Sequence, residues 1–402
     1  MTTLTKSFLK NSRRYLSTSY VQRLYIQNNL HNDQTHHSAA AYVDPNAEVF
    51  DFRSDTVTRP TDEMFEVMKK ATRNDSVFEE DNSVHELERY VAELTGHEAG
   101  LFCASGTMTN QLGLRVHLNQ PPHSVVCDAR SHVHLWEAGG IAFHSRASVS
   151  PVICSNGVHV TATEIEGNLI DEDLHTAPTR VVSLENTLSG MVMPLKDIQE
   201  VASLARDRGL AMHLDGARLW NAHIASGVPL HEYGKCFDSM SLCLSKGVGA
   251  PIGSILVGNR QFIHRARHFR KLFGGGWRQV GGIAACAKYC IETIVPTMAD
   301  THELTRYLAN QLVELGVDLQ NPVHTNMVLI DTSRIGLNIQ QDLVPALLKK
   351  NIKIGGNGTK SRIVLHHQIN REAVDTLLTV FREVLAQHNT KKFQEEQFVA
   401  EA

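Results

Sequence analysis

The sequence predicts an α/β protein: a large domain with a mostly parallel sheet covered by helices, then a small C-terminal α+β domain. Three observations carry this. Strand-like and helix-like stretches alternate through the middle of the chain. Several strand-like stretches, among them "SVVCDA" and "SMSLCLSKG", are apolar throughout, as strands buried on both faces are. From about residue 295 the texture changes to shorter, alternating helices and strands. A length of 402 residues is enough for both domains.

The first 45 residues stand apart. Lys6, Lys10, Arg13, Arg14 and Arg23 are basic, hydroxyl residues are frequent, and the first acid is Asp33. This composition reads as a mitochondrial transit segment, with a disordered cytosolic tail as the alternative. The expected organisation is residues 1–45 as targeting segment, 46–295 as the large domain with an N-terminal arm, 296–388 as the small domain, and 389–402 as a frayed polar tail.

In chain order, "TDEMFEVMKKAT" spaces Met64, Phe65, Val67 and Met68 as a helix face, capped by Thr61 with Glu63 in the first turn. "SVHELERYVAELTGHE" is a helix with Ser83 as cap, Glu86 completing a capping box and Gly96 closing it. "AGLFCASGTMTNQLGLRVHL" gives a short strand, a small-residue turn and a helix from about Met108. The strands "SVVCDA" and "TRVVSLENT" follow. Helix "PLKDIQEVASLARDRG" comes next, with Ile198, Val201, Ala202 and Ala205 on one face and a stop at Gly209. "LAMHLDGA", "SMSLCLSKG" and "SILVGN" complete the strands of the large domain. Beyond Pro296, helix "ELTRYLANQLVELG", strand "MVLIDT", helix "QDLVPALLKKN", strand "SRIVLHH" and helix "REAVDTLLTVFREVLAQ" build the small domain.

Composition narrows the function classes. With 42% apolar and 20% charged residues the chain has the balance of a soluble enzyme, and no stretch approaches the roughly 18 apolar residues of a membrane span. A net charge of −4 gives no footprint for nucleic acid. The seven cysteines include no CxxC, and Cys236, Cys243, Cys286 and Cys290 read as small core residues of a reducing compartment. The 22 histidines include no HExxH; His123, His132, His134 and His144 read as hydrogen-bonding residues, and no metal is expected.

Three positions carry chemistry. Ser105, Gly106 and Thr107 lie between a strand and a helix, where free N–H groups and the helix dipole meet an anion, although an ordinary capped turn looks the same. Asp215 ends an apolar strand, where open α/β sheets bind ligands; the alternative is a structural bridge to Arg218. Lys246 is a solitary ammonium between two apolar segments. An anion site, a buried carboxylate and an isolated amine, each after a strand, match the needs of pyridoxal 5'-phosphate: its phosphate, its ring nitrogen and its aldehyde.

The stretches "DFRSDTVTRPTDEM", "SVHELERYVAELTGHEAGLF", "SHVHLWEAGG", "SLENT", "HLDGARLWNAHIASGV", "SLCLSKGVGAPIGSILVGN" and "RKLFGGGWRQVGG" resemble the low-specificity L-threonine aldolases. These are pyridoxal-phosphate lyases of fold type I, in the aspartate-aminotransferase superfamily, and the resemblance runs from about Phe52 to Arg382. It implies a carbon–carbon lyase that splits L-threonine or L-allo-threonine into glycine and acetaldehyde. Lys246 would form the Schiff base. Ser105, Gly106 and Thr107 would hold the phosphate, His132 would stack on the ring, Asp215 would pair with the ring nitrogen, and Arg218 would lie near the ring's oxygen substituent. Ser54 and Arg362 would grip the substrate carboxylate. Lys271 and Arg278 would reach the phosphate of a neighbouring subunit in a homotetramer whose sites lie at its interfaces. Glu137 would orient the His132 segment or only cap a turn. Candidates for the base are His132, His134 and a phosphate-linked water. Another pyridoxal-phosphate reaction on a β-hydroxy amino acid, or a non-catalytic protein of the same fold, are the alternatives.

Two departures from the family pattern stand out. Leu188 occupies the place of a histidine that is a candidate for binding the substrate hydroxyl, and "DSVFEED" puts Phe78 where the family has tyrosine and Glu79 where it has glycine. Losing such a polar group costs about 1–3 kcal/mol, which would weaken turnover or change the preferred substrate.

Overall fold

The computed structural model describes residues 49–401; the basic opening segment, residues 1–45, lies outside the described residues. The strands are β1 (Phe50–Asp51), β2 (Ala99–Cys103), β3 (Ser124–Asp128), β4 (Ser148–Val152), β5 (Thr179–Glu185) and β6 (Ala211–Gly216). They continue as β7 (Ser239–Cys243), β8 (Ser254–Gly258), β9 (Asp318–Leu319), β10 (Met327–Asp331), β11 (Ile352–Lys353) and β12 (Lys360–Val364). A seven-stranded sheet has the order β2-β8-β7-β6-β5-β3-β4. β8 runs against both β2 and β7, and the remaining pairs are parallel. β3, β7 and β8 are buried along their whole length, as their unbroken apolar runs require.

Helices flank this sheet. Helix Asp62–Lys70 is capped by Thr61, whose side chain accepts from the Met64 N–H; only Met64 of its apolar face is buried. Helix Asn82–Thr95 departs from expectation at its start. Asp81, not Ser83, is the cap, because its carboxylate takes the N–H groups of Ser83 and Val84. Ser83 Oγ instead accepts from the Thr72 N–H, tying the helix to the preceding turn. Gly96 closes the helix in the left-handed region at φ 73°. Helix Leu195–Asp207 buries Ile198, Val201, Ala202 and Ala205 against the sheet.

Pro296 lies in a short turn, Val295–Thr297, between helices Gly281–Thr293 and Met298–Glu314. After it a three-stranded antiparallel sheet, β12-β10-β9, has its own apolar cluster around Leu308, Val328, Ile363, Leu377 and Phe381. The N-terminal arm belongs to this cluster rather than to the large sheet. β1 pairs with β11 in parallel, and Phe52 is fully buried among the C-terminal residues. The last helix runs from Arg371 to Glu401, so the polar stretch after Gln387 continues the helix instead of fraying; its Lys, Gln, Glu and Ala residues are good helix formers. Among the described residues no helix is long and apolar enough to cross a membrane.

Candidate active site

Because β8 alone runs the other way, the carboxyl ends of β2, β3, β5, β6 and β7 meet along one edge of the sheet. Ligands of open α/β sheets bind at that edge. Ser105–Thr107 follow β2, His132 follows β3, Glu185 and Asp215 end β5 and β6, and Lys246 follows β7.

Helix Gly106–His117 begins two residues before the expected Met108. Ser105 caps it, accepting the Met108 N–H, which leaves the first turn pointed at the edge. A Cβ on Gly106 would lie 2.7 Å from Cys243 Sγ, so only glycine lets this turn sit against the end of β7, three residues before Lys246.

Asp215 is 2% exposed. Its Oδ1 accepts the Ala217 N–H at 3.0 Å and its Oδ2 accepts Asn110 Nδ2 at 2.8 Å. Asn110 Nδ2 also donates to Glu137 Oε1 at 2.8 Å, and Gln111 Nε2 donates to Glu137 Oε2 at 2.5 Å. Glu137 in turn meets His132 Nδ1 at 2.9 Å, so it orients the imidazole rather than merely capping a turn. His132, Glu137 and Asp215 place one donor atom each within 4.8 Å of one another. The amides of Asn110 and Gln111 already occupy the two carboxylates, and the group reads as a hydrogen-bonded cluster.

A second buried aspartate stands in the arm. Asp55 accepts Arg218 Nε at 2.9 Å and Arg218 Nη2 at 2.6 Å, and Asn326 Nδ2 lies 3.4 Å away. Arg218 is therefore not the partner of Asp215; the bridge expected as the alternative is made to Asp55 instead. Burial pushes the Asp55 carboxyl up, but Arg218, with smaller contributions from Lys246 and Arg362, outweighs it and holds the group at about 2. Ser54, next in the chain, is buried and accepts the hydroxyl of Thr56 at 2.9 Å. Thus Arg218, Lys246 and Arg362 act on one carboxylate, with Ser54 beside it in the chain. Among the described residues no hydrogen bond or ion pair engages the Lys246 ammonium.

Glu185 and Asp215 are directly paired across β5 and β6. Glu185 Oε2 accepts the His132 N–H at 2.7 Å. Burial, then the Asp215 charge, pushes the Glu185 carboxyl up to about 8, with His132 and Lys246 opposing. For His132, burial works against the charge, but the hydrogen bond to Glu137 and the charges of Asp215 and Glu185 raise its basicity overall. His134 moves the other way, through burial.

Other sequence candidates lie elsewhere. Arg278 is ion-paired with Asp75 at 3.0 Å and Lys271 is exposed; among the described residues neither touches Lys246, Asp215 or His132. His123 Nε2 bonds the Ser145 carbonyl and His144 packs on Phe273, away from His132. Leu188 is buried in the turn after β5. Phe78 is 70% exposed, and Glu79 sits at φ 59°, the left-handed conformation that explains the family's glycine there.

Asp55, Asn110, Gln111, Glu185 and Asn326 escaped the sequence reading. The available signal was polar residues on an otherwise small and apolar helix, with Asn110, Gly113 and His117 falling on one stripe.

The Beta-eliminating lyase family matches residues 51–334. A low-specificity L-threonine aldolase of Eremothecium gossypii is 46% identical over 330 residues, covering 81% of this chain and 85% of the relative. One of Saccharomyces cerevisiae is 45% identical over 328 residues, covering 81% and 84%. Among solved structures, a threonine aldolase of Leishmania major aligns with a TM-score of 0.73 at 17% identity, covering 84% of this chain and 99% of that one.

Proposed function

The chain belongs to the Beta-eliminating lyase family, together with the low-specificity L-threonine aldolases, and from that membership we propose that it cleaves L-threonine and L-allo-threonine to glycine and acetaldehyde with pyridoxal 5'-phosphate. The observation that carries the reading is Asp215. A buried carboxylate is costly without a cation, and this one has only a neutral amide and a backbone N–H. A protonated pyridine ring supplies the missing charge. The glycine turn packed against β7 fits a phosphate, and the unengaged Lys246 fits an aldehyde, so the residues present suit the cofactor.

When bound, the cofactor supplies an aldehyde that condenses with amines and a cationic ring that draws electrons from the bonds at the substrate's Cα. Ser105, Gly106 and Thr107 would hold its phosphate, His132 would lie on its ring, and Arg218 would stand near its oxygen substituent. Asp215 would pair with the protonated ring nitrogen. Arg362 and Ser54 would fix the substrate carboxylate and so orient the Cα–Cβ bond for cleavage. His132, held through Nδ1 by Glu137 and raised in basicity, takes the β-hydroxyl proton. As that proton leaves, Cα–Cβ breaks, acetaldehyde departs, and the electron pair left at Cα takes up a proton to give glycine. Lys246 would hold the cofactor before and after the reaction. Lys271 and Arg278, exposed on this chain, reach a neighbouring subunit's phosphate in a homotetramer. The basic, acid-poor start supports mitochondrial import, readable from the destination of a fluorescent fusion of residues 1–45.

The test is glycine formation from L-threonine, L-allo-threonine and L-serine side by side, with cofactor absorbance measured in wild type and Lys246→Ala. Glycine from the threonines and loss of the lysine-linked absorbance in the variant are expected. Production of 2-oxobutyrate, or no product from a cofactor-loaded enzyme, overturns the aldolase reading.

A further inference from the structure

Beneath Asp215 a run of buried polar side chains has no place in the chemistry above. His213 sits two residues before Asp215 on β6, so both point to the same face of the sheet, toward helix Gly106–His117. Ser239 is the register partner of His213 on β7. Asn110, Gly113 and His117 form the stripe of the helix that lies over them. The imidazole of His213 rests on Gly113, where a Cβ would come within 2.5 Å of the ring. The helix has left room for that ring.

The proton positions in this run follow from the hydrogen-bond partners. Asn110 Nδ2 faces two carboxylates, Asp215 and Glu137, so it is the amide nitrogen and Oδ1 is the acceptor. Oδ1 lies 3.2 Å from His213 Nε2, which must carry the hydrogen. Burial keeps His213 neutral, near 3, so Nδ1 is a lone pair and takes the Ser239 hydroxyl at 2.8 Å. Ser239 Oγ then accepts from His117 Nε2 at 2.8 Å, His117 also being held neutral, at about 4, by burial. Every donor in the run points toward Asp215.

We propose that His117, Ser239, His213 and Asn110 form a one-way hydrogen-bond relay ending on Asp215, with His213 as the positioning residue that holds negative charge there for the cofactor's ring nitrogen. Aligned hydrogen bonds polarise one another, and in a buried site their positive ends act on the carboxylate at low screening. The inference rests on the cofactor reading above. The other titratable groups facing Asp215 are Glu185 on β5 and His132 and Glu137 on the segment after β3, with Lys246 acting on Glu185; the variants below leave them in place.

The experiment compares Ser239→Ala, His213→Leu and the conservative His213→Gln with wild type. Pyridoxal phosphate binding to each apoenzyme is measured from pH 5 to 9. Cutting the relay makes the carboxylate easier to protonate, so the acid-side midpoint of binding moves to higher pH in Ser239→Ala and His213→Leu, with affinity near that midpoint falling about three- to tenfold. His213→Gln, which can still donate to Asn110, recovers most of the loss. Nitrogen NMR of the imidazoles finds the His213 hydrogen on Nε2. A lower melting temperature with unchanged midpoint and affinity in Ser239→Ala, or the hydrogen on Nδ1, overturns the relay. Failure of wild type to bind pyridoxal phosphate overturns the cofactor reading instead, and the imidazole tautomer still decides the relay.

Discussion

Asp55 and Asp215 are equally hidden, at 0% and 2% exposure, yet the chain surrounds them in opposite ways. Asp55 receives two charged hydrogen bonds from Arg218 and feels Lys246 and Arg362 as well. Asp215 receives one amide and one backbone N–H. A buried charge needs compensation of several kcal/mol. At Asp55 the protein provides it from its own residues, which makes that aspartate part of the scaffold. At Asp215 the contacts are a neutral amide and a backbone N–H, which is why we propose it as the partner of a cationic ligand. The two carboxylates thus differ in the kind of partner rather than in depth of burial.

Conservative amides test the contrast most directly. Asp215→Asn should unfold within about 1–2 kcal/mol of wild type in urea while turnover falls by about tenfold to a hundredfold. Asp55→Asn should lose about 3–5 kcal/mol, because it leaves the Arg218 guanidinium buried without its anion. If both variants lost stability equally, the distinction would collapse. Wild type should show the same ion pair under acid. Asp55 is depressed from 3.8 to about 2, so its contribution is complete above 3.8 and is lost as pH falls through about 2, amounting to about 2 kcal/mol.

Glu185 sharpens the comparison because burial and the neighbouring Asp215 charge favour its protonated form. Its carboxyl is raised from 4.5 to about 8, so stability linked to its proton is full below 4.5 and disappears as pH rises through 8. Glu185→Gln should match wild type at pH 5 and exceed it by a few kcal/mol at pH 9, measured by urea unfolding of the apoenzyme. An equal difference at both pH values would mean that Glu185 is ionised throughout.

On the ligand's side, Leu188→His should change turnover of threonine or allo-threonine, or their ratio, several-fold if residue 188 meets the substrate hydroxyl. Identical steady-state kinetics on both diastereomers would place that role elsewhere. At the small end lies Glu79, an exposed carboxylate 3.3 Å from Arg267 and strained at φ 59°. Glu79→Gly should raise stability by no more than about 1 kcal/mol, since relief of the left-handed backbone outweighs a solvated ion pair. A loss of stability on thermal unfolding would show that the ion pair matters more than its exposure suggests.

What could be read in the sequence was local. Lys246, Asp215 and the Ser105–Thr107 turn announced themselves by following apolar strands, and the order of strands and helices followed from apolar runs and their periods. The proximity of Arg218 to Asp215 in sequence suggested a bridge; the structure sends Arg218 across the site to a residue 163 positions away. Asn326 approaches the same Asp55 from 271 positions away, which no local pattern encodes. The cap at Asp81 was missed for a smaller reason. Asp81 and Ser83 are both good caps, and Thr72 bonds both side chains, but only Asp81 takes the first N–H groups of the helix. Glu137 and Asn110 acquired meaning only when the helix and the His132 turn were brought together.

The arm also imposes an order of events on synthesis. Phe50 pairs with Ile352 and the Phe52 carbonyl accepts the Val364 N–H, so the first described strand waits on the ribosome for nearly the last. A nascent chain can complete the large sheet, with Lys246 and Asp215 at its edge, long before Asp55 has anything to anchor it opposite Arg218. Such long-range closure is slow compared with local folding. Without β11 and β12 the arm that carries Asp55, the partner of Arg218, would lose its strand pairing. The position of Asp55 opposite Arg218 therefore depends on contacts that join residues 50–52 to β11 and β12.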